Sequence, residues 1–171
     1  MIKILAIPGS LRNNSSSNQL LTKIASMIPA DISFEVYGGV GTLPHFNDPE
    51  TTPDQVVDFR NKIKEANAVL ICTPEYAFGV PGSLKNALDW TVGSSEFVDK
   101  PVGLITASSQ GEKGHAALLM ILGAISAKVV DDAVLLISFI RAKIDKNGNV
   151  KDEAMLSDVQ KVIDAIVVAA K

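Results

Sequence analysis

Short apolar runs alternate along the chain with stretches whose apolar residues recur at helical spacing. The first run, residues 2–8 (IKILAIP), stops at Gly9 and reads as strand one. From Ser17 to Ile28, the positions Leu20, Leu21, Ile24 and Ile28 follow the period of a helix, and Pro29 stands just beyond its end. Residues 32–37 (ISFEVY) alternate and predict strand two. A loop rich in Gly, Pro, Asn and Asp covers 38–52. Pro53 then suits the first position of a second helix, with Val56, Phe59, Ile63 and Ala66 on its inner face. Residues 68–73 (AVLICT) form a continuous apolar strand, the kind covered on both faces of a parallel sheet.

Beyond a Pro/Gly loop, the pattern predicts a short helix over 82–90, strand four over 101–107 and a helix over 114–127. Strand five follows over 129–138, with Asp131-Asp132 at its entrance. Asn147-Gly148 is a turn signal, and the last amphipathic helix covers 152–170 with Leu156, Val159, Ile163, Ile166 and Ala170 on one face. Five β-α units of this kind predict an α/β fold: a doubly wound, five-stranded parallel sheet with helices on both faces. Right-handed crossovers leave few topologies, and the order 2-1-3-4-5 suits five strands. In that order the chain reverses direction between strands one and three, and ligands bind there beyond the carboxyl ends of the strands. The loops that meet at this point are Gly9–Ser17 and Pro74–Pro81, the two most unusual stretches of the sequence.

Composition adds boundaries. With 171 residues the chain reads as one domain, 1–171, able to bury a substantial core. A net charge of −3 calls for neither nucleic acid nor an anionic membrane. No uncharged apolar run approaches a membrane span, and the N-terminal run lacks a signal-peptide cleavage site, so the cytoplasm is the expected address. The lone Cys72 excludes an internal disulfide framework, fits a reducing compartment and reads as a small buried hydrophobe.

The first loop reads G-S-L-R-N-N-S-S-S-N over 9–18. It matches neither the dinucleotide fingerprint nor a P-loop. It does combine the hydroxyls of Ser10, Ser15, Ser16 and Ser17, the amides of Asn13, Asn14 and Asn18 and the cation Arg12, and it leads into a helix start. Free N–H groups and the helix dipole favour an anion at such a start. A serine N-cap in a polar loop is the plainer alternative, and position after strand one favours the phosphate reading. In the second loop, Pro74, Gly79, Pro81 and Gly82 set the backbone path, while a buried Trp90 with solvated Lys85 and Asp89 needs only a structural explanation.

G-S-L-R with its Ser/Asn helix start, and P-E-Y-x-x-G-x-P-G-x-L-K-N-A-L-D-W, together resemble the NAD(P)H-dependent FMN reductases, a flavodoxin-like group that includes quinone, chromate and azo-dye reductases. Leu43-Pro44 with Phe46-Asn47 is similar to that family's loop after strand two, and Asp145 to Asp152 to its C-terminal connection. The resemblance implies that Ser10, Arg12, Ser17 and Asn18 hold the FMN phosphate, with Ser16 as the alternative to Ser17 because this loop is about one residue longer. It implies that Pro74, Glu75, Tyr76 and Phe78 line the isoalloxazine ring, largely through backbone groups, and that Ser108 and Gly111 stand in a third flavin-side loop. Position 77, often Asn in the family, is Ala here. The implied reaction passes hydride from NADPH or NADH to FMN and then to a small-molecule electron acceptor: a quinone, free flavin, azo compound or metal oxyanion. The cofactor carries that chemistry, so no residue is named as acid, base or nucleophile.

Other patterns are excluded or set aside. His115, at a helix start near the expected flavin, is either a nicotinamide contact or, the plainer reading, a surface histidine; His45, in a loop, reads as non-catalytic, and no His/Cys/carboxylate set has metal-site spacing. No acidic pair ends strand one, which argues against a phospho-accepting receiver, and Phe78 stands where a cysteine phosphatase would carry Arg. The helix around 116–127 (AALLMILGAISA) is apolar nearly all round, so a second face needs a partner; a homodimer or a dimer of dimers is expected. Two rival functions remain: an electron carrier like flavodoxin, disfavoured by the Ser/Arg loop and modest charge, and a flavin-binding module without turnover.

Overall fold

The computed structural model describes residues 1–145 and 149–171; the turn expected at Asn147-Gly148 lies outside them. In chain order the elements are β1 (Ile2–Pro8), α1 (Ser16–Met27), β2 (Ile32–Val36), a 3-10 turn (Val40–Thr42), α2 (Asp54–Glu65) and β3 (Ala68–Thr73). Then come α3 (Gly82–Asp89), β4 (Pro101–Ala107), α4 (Glu112–Ala124), β5 (Lys128–Ile137), α5 (Ile140–Lys143) and α6 (Glu153–Ala169). The five strands form one sheet in the order β2-β1-β3-β4-β5, and every neighbouring pair is parallel. This is the topology that the β-α alternation predicts.

Side-chain alternation along the central strands divides the core in two. Ile4 and Ala6 of β1 and Leu70 and Cys72 of β3 face α1 and α6, packing with Leu20, Ile24, Val159 and Ile163. Leu5, Ile7, Val69 and Ile71 face the other way, against Val56 and Phe59 of α2, Leu84 of α3 and Leu118 of α4. All six residues of β3 are buried, as expected of a strand covered on both faces. Burial pushes the Cys72 thiol up to about 12, so it stays protonated and packs as the expected small hydrophobe.

Several boundaries differ from the sequence expectations, each for a local reason. Pro53 is the N-cap of α2 and Asp54 its first helical residue, so the acidic side chain meets the positive end of the dipole. α4 begins at Glu112, two residues before the expected start, because Gly111 takes a left-handed conformation (φ 100°) that turns the chain into the helix early. Asp131 and Asp132 do not open β5; they lie within it, at a shift in register. Val129 pairs with Val102 but Val134 with Leu104, so the β5 backbone bulges outward between them. The 3-10 turn and α5 carry no periodic pattern and are too short for one.

Leu118 and Leu122 bury one side of α4, while Met120 on the other side is 72% exposed, beside exposed Ala116, Gly123 and Ala124. The apolar circumference of this helix is therefore covered on one face only. Among the described residues, no helix is long and apolar enough to cross a membrane.

Candidate active site

In a parallel sheet every β-to-α loop opens at the same edge, and here these loops surround a cleft of about 530 Å³. That size suits a small-molecule or cofactor site. The first wall comes from the chain between β1 and α1. Gly9 donates its N–H to Cys72 O (2.8 Å) and passes so close to β3 that a Cβ would lie 2.8 Å from Thr73 Cα and overlap the Thr73 side chain. Only glycine lets the loop cross β3 here and reach the cleft. Ser10, buried, then hydrogen-bonds the Tyr76 hydroxyl (3.1 Å) and accepts from Arg12 N–H (3.3 Å), tying this loop to the one after β3.

Ser15 is the N-cap of α1: its Oγ accepts from Asn18 N–H at 3.2 Å. Ser16 and Ser17 occupy the first helical positions, where N–H groups have no intrahelical acceptor, and both line the cleft with Ser15, Leu11 and Arg12. The Arg12 guanidinium has no carboxylate within ion-pair reach among the described residues. Hydroxyls, open helix N–H groups and an unpaired guanidinium form a donor set suited to phosphate. Asn18 is turned away from the cleft. Its Nδ2 donates to Ser10 O (3.2 Å) and Arg12 O (2.9 Å), so it braces the loop from behind.

The second wall is the loop after β3, and Pro74, Glu75 and Tyr76 line the cleft. Tyr76 and Gly79 exchange backbone hydrogen bonds (3.0 and 2.9 Å), closing a two-residue turn. Its central residues, Ala77 (φ 48°) and Phe78 (φ 59°), both have left-handed backbones, the pattern of a type I′ turn, which favours Asn and Gly. The Phe78 ring is 71% exposed and does not line the cleft. Glu75 accepts from Gly114 N–H (2.7 Å) through its carboxylate, and its own N–H donates to Ser108 Oγ (3.2 Å). Ser108 and Ser109 line the third side. Gly111 does not; it caps α4 behind them. Ile140 and Arg141 of α5 complete the rim.

Arg141 is the principal lining residue missed from sequence. The loop after the fifth strand opens at the same edge as the others, and that rule alone flags residues 139–141. The L-K-N-A-L-D-W stretch has a structural task. Trp90 Nε1 and Asn86 Nδ2 both donate to Pro44 O (2.8 and 2.9 Å), and Asn86 Oδ1 accepts from Phe46 N–H (2.8 Å). Together they fasten the loop after β2 to α3, while Lys85 and Asp89, solvated by expectation, form a half-buried ion pair one helical turn apart (2.6 Å). His115 lies in the first turn of α4 and shares a hydrogen bond with buried Thr106 Oγ1 (2.8 Å); burial lowers its proton affinity. It does not line the cleft.

The family model for NADPH-dependent FMN reductases matches residues 2–141. The chain belongs to this family. The reductase is 35% identical over 174 aligned positions to a 2-hydroxy-1,4-benzoquinone reductase of a Burkholderia species, covering 95% of this chain and 93% of the relative. It is 30% identical to an NAD(P)H-dependent FMN reductase of Pseudomonas aeruginosa, covering 96% and 93%. Among solved structures it is similar to FerB, a flavoenzyme NAD(P)H:(acceptor) oxidoreductase from Paracoccus denitrificans, with a TM-score of 0.87, 26% identity and coverage of 99% and 97%. Family membership makes this reductase an oxidoreductase that uses FMN with NAD(P)H. The cleft fits that cofactor: one end offers phosphate donors, and the other a backbone turn and a buried proline beside which a flat polar ring can lie.

Proposed function

We propose that this reductase, acting as one FMN-binding domain over residues 1–171, oxidises NADPH or NADH and reduces a quinone, free flavin, azo compound or metal oxyanion. The observation that carries the reading is the pairing of open N–H groups at Ser16 and Ser17 with the unpaired Arg12 at one end of the cleft. The phosphate of FMN sits there, with Ser16 and Ser17 both contributing. Ser10 and Asn18 shape the site rather than contact the phosphate, since the Ser10 hydroxyl is engaged by Tyr76 across the cleft loops and the Asn18 amide by Ser10 O and Arg12 O. Pro74, Glu75 and Tyr76 meet the ring, Ser108 holds Glu75 in place, Gly111 starts α4 and Phe78 stands at the rim.

Bound FMN supplies hydride acceptance from NAD(P)H and onward reduction of the acceptor. The protein binds, aligns and adjusts the electrostatics. Arg12 and the start of α1 offset phosphate charge. The backbone N–H groups of Ala77 and Phe78, which the turn's own two hydrogen bonds leave unused, would be the fixed donors for negative charge that develops on the ring. Purified protein is expected to take up FMN at micromolar concentration, turn yellow and oxidise NAD(P)H directly. Failure to take up FMN would overturn the reading. Binding without direct oxidation of either nicotinamide would favour an electron carrier, and reduction without turnover on any acceptor a binding module. Stopped-flow reduction by each nicotinamide, followed by a panel of acceptors, reads all three.

The exposed face of α4 around Met120 supports a homodimer or a dimer of dimers, since a solvent-facing apolar helix surface is costly alone. A monomer at micromolar concentration in sedimentation would contradict this. The single thiol, Cys72, supports a reducing, cytoplasmic location, which fractionation of the source cells would test.

A further inference from the structure

The turn at 76–79 is strained, and something outside it must hold it. A left-handed backbone at a residue with a side chain is costly, and such residues persist only where surroundings over-determine them. Ala77 and Phe78 are both exposed, so side-chain packing does not fix the turn. The restraint comes from its neighbours in sequence. Glu75, immediately before the turn, places its carboxylate 2.7 Å from the N–H of Gly114, the third helical residue of α4. That N–H is one that a helix normally satisfies with its own N-cap side chain. The cap of α4 is Gly111, which has no side chain to offer. At the other end of the turn, a Cβ on Gly114 would lie 3.0 Å from Gly79 O and 3.1 Å from Glu75 Cγ, so the turn rests directly on the helix backbone.

Resting on the reading of the cleft as an FMN site, we propose that Glu75 is a positioning residue: its carboxylate caps α4 from outside that helix and thereby clamps the 76–79 turn in the shape that meets the flavin ring. The clamp closes a circuit, because Ser108, on the loop that leads to α4, holds the Glu75 N–H. One carboxylate thus couples the ring-side loop after β3 to the loop after β4.

The test compares three substitutions at one position in the full chain. Gln keeps an acceptor at the same reach without the charge, Asp keeps the charge but falls one methylene short, and Ala removes both. Glu75→Gln is expected to bind FMN within about threefold of the parent, while Glu75→Asp and Glu75→Ala weaken it by about tenfold or more, the scale of a lost cap. Exchange of the Gly114 amide proton in the apoprotein should speed up in the Asp and Ala variants alone. The visible circular dichroism of bound FMN should change in the same two. Asn67→Ala is the control: Asn67 Oδ1 accepts from Lys3 N–H (2.9 Å) at the sheet edge opposite the cleft, so its loss removes one side-chain acceptor of a backbone N–H without altering FMN affinity or dichroism. Equal weakening of FMN by Glu75→Ala and Asn67→Ala would overturn the proposal, as would tight binding by Glu75→Asp or weak binding by Glu75→Gln. If the parent protein itself takes up no FMN, the functional reading fails first and the clamp's role with it. Parental uptake with an indifferent Glu75 sinks the clamp alone.

Discussion

The N-termini of α1 and α4 treat their positive ends in opposite ways. α1 caps itself with Ser15, which occupies the Asn18 N–H and leaves the N–H groups of Ser16 and Ser17 toward the cleft. α4 has no side-chain cap of its own, and the protein fills the gap with the Glu75 carboxylate. Both ends carry the same partial positive charge. One is closed by an internal anion and the other is left for an external one. Of these two ends, only the one at α1 is open to an external anion, which is what the proposed phosphate position needs.

The comparison can be broken by giving α1 what α4 has. Ser16→Asp puts a carboxylate in the first turn of α1, which should leave the apoprotein as stable or slightly more so. By like-charge repulsion it should weaken FMN binding by about 100-fold or more, read by fluorescence titration. Removing the cation that distinguishes the α1 end comes next. Arg12→Ala should raise the Kd for FMN by roughly tenfold to hundredfold, the worth of charge-assisted hydrogen bonds, with the melting temperature of the apoprotein little changed. A smaller effect sharpens the α4 side: Ala77→Asn relieves left-handed strain and should stabilise the protein by about 0.5–1 kcal/mol in urea unfolding.

The smallest effect concerns His115. Its folded-state proton affinity is held below the ordinary 6.5 by burial. As pH falls through 6.5, the unfolded chain takes up a proton that the folded chain refuses, so stability falls until the folded imidazole also protonates. His115→Asn should flatten this part of the profile, measured as urea midpoints between about pH 8 and about pH 5.

The two sides of the cleft were also unequally legible in the sequence. Strand order followed from the alternation of apolar runs and helical spacing, since parallel crossovers leave so few arrangements. Ser16, Ser17 and Arg12 announce an anion site by residue type and by position after strand one. The ring side does not announce itself this way. Nothing in P-E-Y-A-F-G states that Ala77 and Phe78 are left-handed, because neither residue type carries such a preference. The task of Glu75 depends on a contact across 39 positions, which no local pattern encodes. Arg141 is illegible for a simpler reason: it lies after β5, far in sequence from the chain reversal, although α5 opens at the same edge.

The bulge in β5 has a consequence for how copies of the molecule meet. β5 is an outer strand of the sheet, and a flat outer strand is a template for another chain's backbone. Here the irregular stretch between Val129 and Val134 carries exposed Asp131 and Asp132, so its ladder is interrupted and negatively charged where a foreign strand would dock. Sheet-to-sheet growth into fibrils is therefore disfavoured at that edge.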